Sequence, residues 1–210
     1  MTALKICGIT REQDALAAAH AGANAIGLVF YAKSPRHVTP SRGAELLRVL
    51  PPFVTSVGLF VDAPADQVTQ TLAAARVDLL QFHGDESPAY CRQFNAPYLK
   101  AARVRPGLDL LQYARDYHDA KALLLDAYVE GTHGGTGAVF DWALIPKNLP
   151  LPVVLSGGLS AENVAMAIQA VRPWAVDVSS GVEIPGLANK GIKDAAKIAA
   201  FVTGVRNANV

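Results

Sequence analysis

Cys7 closes the apolar run "LKIC" and is followed at once by Gly8. A cysteine so placed is a small core residue, a metal ligand, or a nucleophile or base. Asp126 stands near the end of a second apolar run, "ALLLDAYV" at 122–129. Moving protons on a carbon skeleton takes one group that gives a proton and one that accepts it. A thiol and a carboxyl can share that work if the fold brings them together. Other polar residues fall at similar run ends. They are "KSPRH" at 33–37 with Arg36, Asp62, "QFHGDE" at 81–86 with His83, and Lys100 with Arg103. Two more follow, "SGG" at 156–158 and "DVSSG" at 177–181.

The elements that must position these residues alternate along the chain. Strand-like runs cover 3–9, 25–30, 55–61, 79–84, 97–104, 122–129, 152–159 and 175–182, and helix-like stretches include 12–22, 41–50, 64–75 and 160–171. Thr10 with Gln13 and Ser160 with Asn163 read as helix starts, Pro64 suits a first helical turn, and Gly22 ends the first helix. The strand-to-strand spacing of about 25 residues suits a βα unit. Near-continuous apolar strands imply a parallel sheet covered on its outer side. Eight such units predict one (β/α)8 barrel domain over residues 1–210. An open doubly wound sheet is the alternative, but no dinucleotide glycine fingerprint follows any strand.

In a barrel, chemistry gathers at the C-terminal ends of the strands. Side chains two apart on a strand share a face, so Cys7 goes with Lys5, Gln81 with His83, and Asp177 with Ser179. Lys5 and Asp177 lie on strands one and eight, which are neighbours in a closed barrel, and are expected to form an internal ion pair. The turns at Gly157-Gly158 and Ser180-Gly181 suit an anion, because glycine admits close approach and helix-start N–H groups point outward. A phosphorylated small molecule is the expected substrate.

With 210 residues, 51% hydrophobic, the chain is long enough to bury a full core. A net charge of +1 without a basic stripe argues against nucleic acid. No apolar stretch approaches the roughly 20 residues that span a bilayer. Cys7 and Cys91, widely separated and with no signal-like N-terminus, read as free thiols of a cytoplasmic protein. His20, His37, His118 and His133 show no metal-ligand spacing, so no metal is expected. A monomer is expected rather than a homodimer.

The motifs "KICGIT", "FYAKSPR", "QFHGDE", "LDAYVEGTHGGTG", "LSGGL" and "DVSSGVE", in this order, resemble phosphoribosylanthranilate isomerase of tryptophan biosynthesis. The resemblance covers essentially the whole chain. It implies a (β/α)8 barrel and a cofactor-free Amadori rearrangement of N-(5-phosphoribosyl)anthranilate. By motif it makes Cys7 the general base and Asp126 the general acid. Arg36 would hold the anthranilate carboxylate. His83, Gly157, Gly158, Asp177, Ser180 and Gly181 would contact the substrate, the glycine turns at its phosphate. The base role asks for a lowered Cys7 pKa, supplied by Lys5 or the adjacent helix start. The acid role asks for a protonated, buried Asp126. The 131–137 loop "GTHGGTG" reads as a mobile lid, and Cys91 as inert. An epimerase would want metal ligands at the strand ends, and an indole-glycerol-phosphate synthase catalytic lysines and glutamates; neither set is apparent.

Overall fold

The computed structural model describes residues 1–127 and 140–208. Its eight strands are β1 (Ala3–Cys7), β2 (Ala25–Val29), β3 (Thr55–Phe60), β4 (Leu79–Phe82), β5 (Tyr98–Val104), β6 (Ala122–Ala127), β7 (Val153–Leu155) and β8 (Ala175–Val178). They are parallel and close in chain order, β8 returning to β1. The expected barrel is borne out. Its seven described α-helices are α1 (Glu12–Ala21), α2 (Pro40–Arg48), α3 (Ala65–Ala75), α4 (Pro88–Arg92), α5 (Leu110–Asp116), α6 (Val164–Val171) and α7 (Ala195–Asn207). Between β6 and β7 the described residues hold only a 3₁₀ turn, Trp142–Leu144, rather than an α-helix.

The strands end earlier than the apolar runs suggest. β7 stops at Leu155 because Gly157 and Gly158 take φ +86° and +62°, which no extended ladder accommodates. β8 stops at Val178 because residues 180–182 wind into a 3₁₀ turn. The site residues at 156–158 and 179–181 therefore sit in loops above the sheet. Three helix starts also differ from expectation. The N-cap of α1 is Arg11, without a side-chain cap, while the Thr10 hydroxyl donates to the Gly191 carbonyl at 2.7 Å. α6 begins only after Asn163, whose Oδ1 accepts from the Ser160 N–H at 2.9 Å. Pro64 is the N-cap of α3 rather than part of its first turn. Gly22 ends α1 in the left-handed conformation, as expected.

Alternation along the strands divides the core in two. Outward residues such as Leu4, Ile6, Ile26, Leu28, Leu80, Phe82, Leu123, Leu125 and Val176 join the layer beneath the helices. Phe30, Phe60 and Phe82 run through it, with ring centroids 5.5 and 6.4 Å apart. Inside the barrel, Val57, Leu99, Ala101, Ala122, Leu124, Val154 and Ala175 form a separate apolar plug at the N-terminal end. Above the plug the interior turns polar.

Lys100 does not join that polar end. It follows Leu99 on β5, faces the helix layer and is fully buried. Its ammonium donates to Glu86 at 3.0 Å and to the Gly84 carbonyl at 2.7 Å, while Glu86 accepts the N–H groups of Asp62 and Gly84. Lys100 thus pins the β4–α4 loop below the rim. Replacing it with methionine strands a buried carboxylate. We expect Lys100→Met to destabilise the fold by about 3–5 kcal/mol, with part of the loss recovered in Lys100→Met/Glu86→Gln, as read from urea unfolding.

Candidate active site

The site starts from β1. Lys5 and Cys7 both point into the barrel, as the alternation requires. Lys5 donates to Asp177 Oδ1 at 2.8 Å across the β1–β8 seam, where the two residues are in register. The expected ion pair is present, and both side chains are buried. Asp177 Oδ2 also accepts from the Ser156 hydroxyl at 3.5 Å, so the pair ties β7 to the same level. Cys7 lies one layer higher, among Val29, Leu59 and Val61. Its neighbour on β2 is Gly27, where a Cβ would stand 2.7 Å from the thiol sulfur. Gly27 is the gap that accommodates Sγ.

Electrostatics at Cys7 differ from the expectation. Burial is the largest influence and pushes the thiol up. Lys5 and Lys193 pull it down, Asp177 pushes it up, and the balance stays above the ordinary thiol value. The reason is geometric: Lys5 spends its charge on Asp177, 2.8 Å away. Burial works against the Lys5 ammonium, but Asp177 and Cys7 more than offset it, so Lys5 stays charged.

Asp126, the penultimate residue of β6, has both oxygens engaged. The Ala127 N–H donates to Oδ1 at 2.8 Å, and His83 Nε2 lies 3.1 Å from Oδ2. His83 follows β4, and its Nδ1 is 2.9 Å from the amide nitrogen of Gln81. Gly157 also meets Asp126: a Cβ there would stand 2.8 Å from Oδ1. The strand-seven turn therefore packs on the carboxylate, and only a residue without a side chain fits.

Arg36 is buried on the loop after β2. Its Nε and Nη2 grip the Glu183 carboxylate at 2.7 and 2.9 Å. Glu183 also accepts from Lys193 at 2.9 Å and from the Gly191 N–H at 3.1 Å. Burial acts to raise Glu183, but Arg36 and Lys193 outweigh it and hold the carboxyl below its ordinary range. Lys193 is itself lowered, chiefly by burial. It donates to the Ser179 carbonyl at 3.0 Å. The side-on edge of the Arg36 guanidinium is thus occupied, and its end-on edge, formed by Nη1 and Nη2, is the one Glu183 does not use.

These residues converge on one pocket at the C-terminal end of the barrel. Cys7, Asp126, Arg36, His83 and Asp177 all line it, with Gln81, Ser156, Ser179 and Tyr31. Gly157, Gly158, Ser180 and Gly181 are not among the lining residues; each pair directly follows a lining serine. Gly181 has a packing role of its own, since a Cβ there would fall 2.0 Å from the Leu159 carbonyl oxygen. Larger hollows open at the opposite end of the barrel, but neither is lined by a cysteine or a histidine among the described residues. Cys91 is fully buried under α4, and burial pushes its thiol up to about 12. The 131–137 loop and His133 lie outside the described residues. Among the described residues, no group of three histidine, cysteine, aspartate or glutamate side chains is placed to hold a metal ion.

Sequence reading missed Gly27, Glu183 and Lys193. Glu183 ends the "DVSSGVE" motif, but nothing in a loop sequence distinguishes a buried carboxylate from a solvated one. Gly27 sits inside an ordinary apolar strand, and only the register with Cys7 gives it a role.

A sequence model described as N-(5'-phosphoribosyl)anthranilate (PRA) isomerase matches residues 4–204. The N-(5'-phosphoribosyl)anthranilate isomerase of Nitrosospira multiformis is 61% identical over 202 residues, covering 96% of this chain and 95% of that one. The crystal structure of phosphoribosyl anthranilate isomerase from Thermotoga maritima superposes with a TM-score of 0.88 at 37% identity, covering 99% of this chain and 100% of that one. A phosphoribosyl anthranilate isomerase in complex with reduced 1-(o-carboxyphenylamino)-1-deoxyribulose 5-phosphate gives 0.85, also at 37% identity and with the same coverage.

Because burial dominates at Cys7, alkylation by iodoacetamide should speed up steadily with pH, since the thiolate is the reactive form. We expect no plateau by pH 8, and modification at Cys7 rather than Cys91 by peptide mapping. A rate that levels off near neutrality would show a thiol lowered instead.

Proposed function

Since the chain belongs to the N-(5'-phosphoribosyl)anthranilate isomerase family and catalyses that isomerisation in tryptophan biosynthesis, we propose that Cys7 is its general base and Asp126 its general acid. The observation that carries this reading is their convergence on one pocket, a thiol from β1 and a carboxyl from β6.

The reaction balances on these two groups. Protonated Asp126 gives its proton to the furanose ring oxygen. The C1–O bond breaks, and the anilino nitrogen lone pair forms a protonated Schiff base. The Cys7 thiolate then takes the C2 proton, giving an enolamine and a thiol. Protonation at C1 and loss of the C2 hydroxyl proton give the ketone. The enzyme ends with Asp126 ionised and Cys7 protonated, so a proton must return from the thiol side to the carboxyl through solvent before the next cycle. Both steps are general acid–base catalysis.

The remaining pocket residues bind. The end-on edge of Arg36 suits the planar anthranilate carboxylate, and Glu183 holds the guanidinium in place for it. The backbone of the Gly157-Gly158 and Ser180-Gly181 turns takes the phosphate, with Ser156 and Ser179 beside them. His83 borders the sugar next to Asp126. Asp177 lines the floor while holding Lys5. No cofactor enters. The complex of a relative with a reduced product analogue supports a small phosphorylated ligand.

Every residue named comes from one chain, so a monomer is sufficient; one solved relative is described as monomers generated from the dimeric Thermotoga maritima enzyme. Two free, buried cysteines fit a reducing compartment, and we place the enzyme in the cytoplasm.

Steady-state kinetics on freshly prepared phosphoribosylanthranilate test the roles. Cys7→Ala and Asp126→Asn should each lower kcat by roughly 10²–10⁴-fold while the fold persists. Near-normal turnover in either variant would remove that residue from the mechanism. Arg36→Met should weaken binding of a carboxylate-bearing product analogue by about 1.5–3 kcal/mol. An analogue lacking the carboxylate should bind to wild type and variant alike; equal losses for both would assign Arg36 another task.

A further inference from the structure

Gln81 is completely buried inside the barrel, two residues below His83 on the same face. Its amide nitrogen is 2.9 Å from His83 Nδ1, and its Oε1 is buried without a hydrogen-bond partner. A stranded buried acceptor is unfavourable. Leucine or methionine would fill the same place without one. A glutamine here is explained by the one contact it does make.

We infer that Gln81 is a positioning residue for the isomerisation, its amide fixing His83 in the tautomer that can donate to Asp126. An amide NH₂ only donates, so Nδ1 must accept and carries no proton. The single proton of the neutral ring then sits on Nε2, 3.1 Å from Asp126 Oδ2. In that tautomer His83 cannot take the proton that Asp126 must deliver to the substrate. It instead donates to the carboxylate that forms as the proton leaves, alongside the Ala127 N–H on Oδ1. With the other tautomer, Nε2 would be bare and would compete with the ring oxygen for the Asp126 proton. Among the described residues, the titratable and charged groups that line the pocket with His83 and Asp126 are Cys7, Tyr31, Arg36 and Asp177, and Gln81 is the amide that touches the ring.

The inference rests on the acid role of Asp126, and its test separates the two. Nitrogen-15 NMR of the wild-type protein, with the His83 signal assigned by its loss in His83→Gln, reads the tautomer without altering Gln81. We expect a protonated Nε2 and a bare Nδ1 at neutral pH. Gln81→Met should let the Nδ1-protonated form appear and lower kcat about ten- to a hundredfold, the usual loss when an orienting partner is removed, with KM nearly unchanged. Gln81→Glu places an acceptor on Nδ1 and should move the proton there, with at least as large a loss. A wild-type ring protonated on Nδ1, or Gln81→Met with wild-type kcat, overturns the inference. Full turnover in Asp126→Asn would overturn the acid role and with it the place of Gln81 in the reaction. Lost turnover in Asp126→Asn beside an unaffected Gln81→Met would overturn Gln81 alone.

Discussion

The buried pair Lys5–Asp177 sets the conditions for everything above it. Buried ion pairs contribute little net stability, because desolvation consumes most of the attraction. The value of this one lies in placement. It spans the seam where the last strand meets the first, one layer above the aliphatic plug and one below the thiol. Through Ser156 it reaches β7 as well. Strands one, seven and eight are thereby held in register at the depth where the pocket floor must be rigid. The same pair decides the chemistry of Cys7. A lysine two residues away would by itself draw a thiol down, but with its charge neutralised by Asp177 it leaves burial dominant.

A second constraint ties the β8 loop to the rest. Glu183 and Lys193 bridge the two ends of the segment 183–194. Lys193 N–H donates to Asp14 on α1, and Arg11 reaches the same carboxylate. Thr10 fixes Gly191. The loop is thus anchored on the first helix, and from there Glu183 reaches back to hold Arg36. A charge on the loop after β2 is positioned by residues nearly 150 places later in the chain. Three buried cations, Lys5, Arg36 and Lys193, stand among three buried acidic side chains, Asp126, Asp177 and Glu183, so the two kinds are equal in number.

This non-locality marks what the sequence could disclose. The barrel was legible because a parallel strand buried on both sides reads as a continuous apolar run, and eight such runs at even spacing admit few closures. Period-two alternation placed Lys5 with Cys7 correctly and foretold the Lys5–Asp177 pair, since closure makes β1 and β8 neighbours. Strand ends were less legible. The run read as a strand extends to Leu159, while backbone conformation at Gly157 and Gly158 stops the ladder after Leu155. Caps failed where a tertiary partner outbid the local one: the Thr10 hydroxyl serves Gly191 instead of α1. Lys100 groups in the sequence with the polar residues near the rim, but its place in the alternation of β5 turns it outward to Glu86. Glu183 and Lys193 carried no local signal at all, since their burial comes from a loop folding onto a distant helix.

The surroundings of Cys7 also indicate which point of the proposed cycle the protein favours at rest. Burial above all raises its thiol. That matches the thiol reached after turnover more closely than the thiolate that begins it. The protein therefore does not hold its proposed base charged for work by its own contacts. Forming the proposed thiolate depends on Lys5 and Lys193, the two cations that lower Cys7, staying close enough to stabilise it.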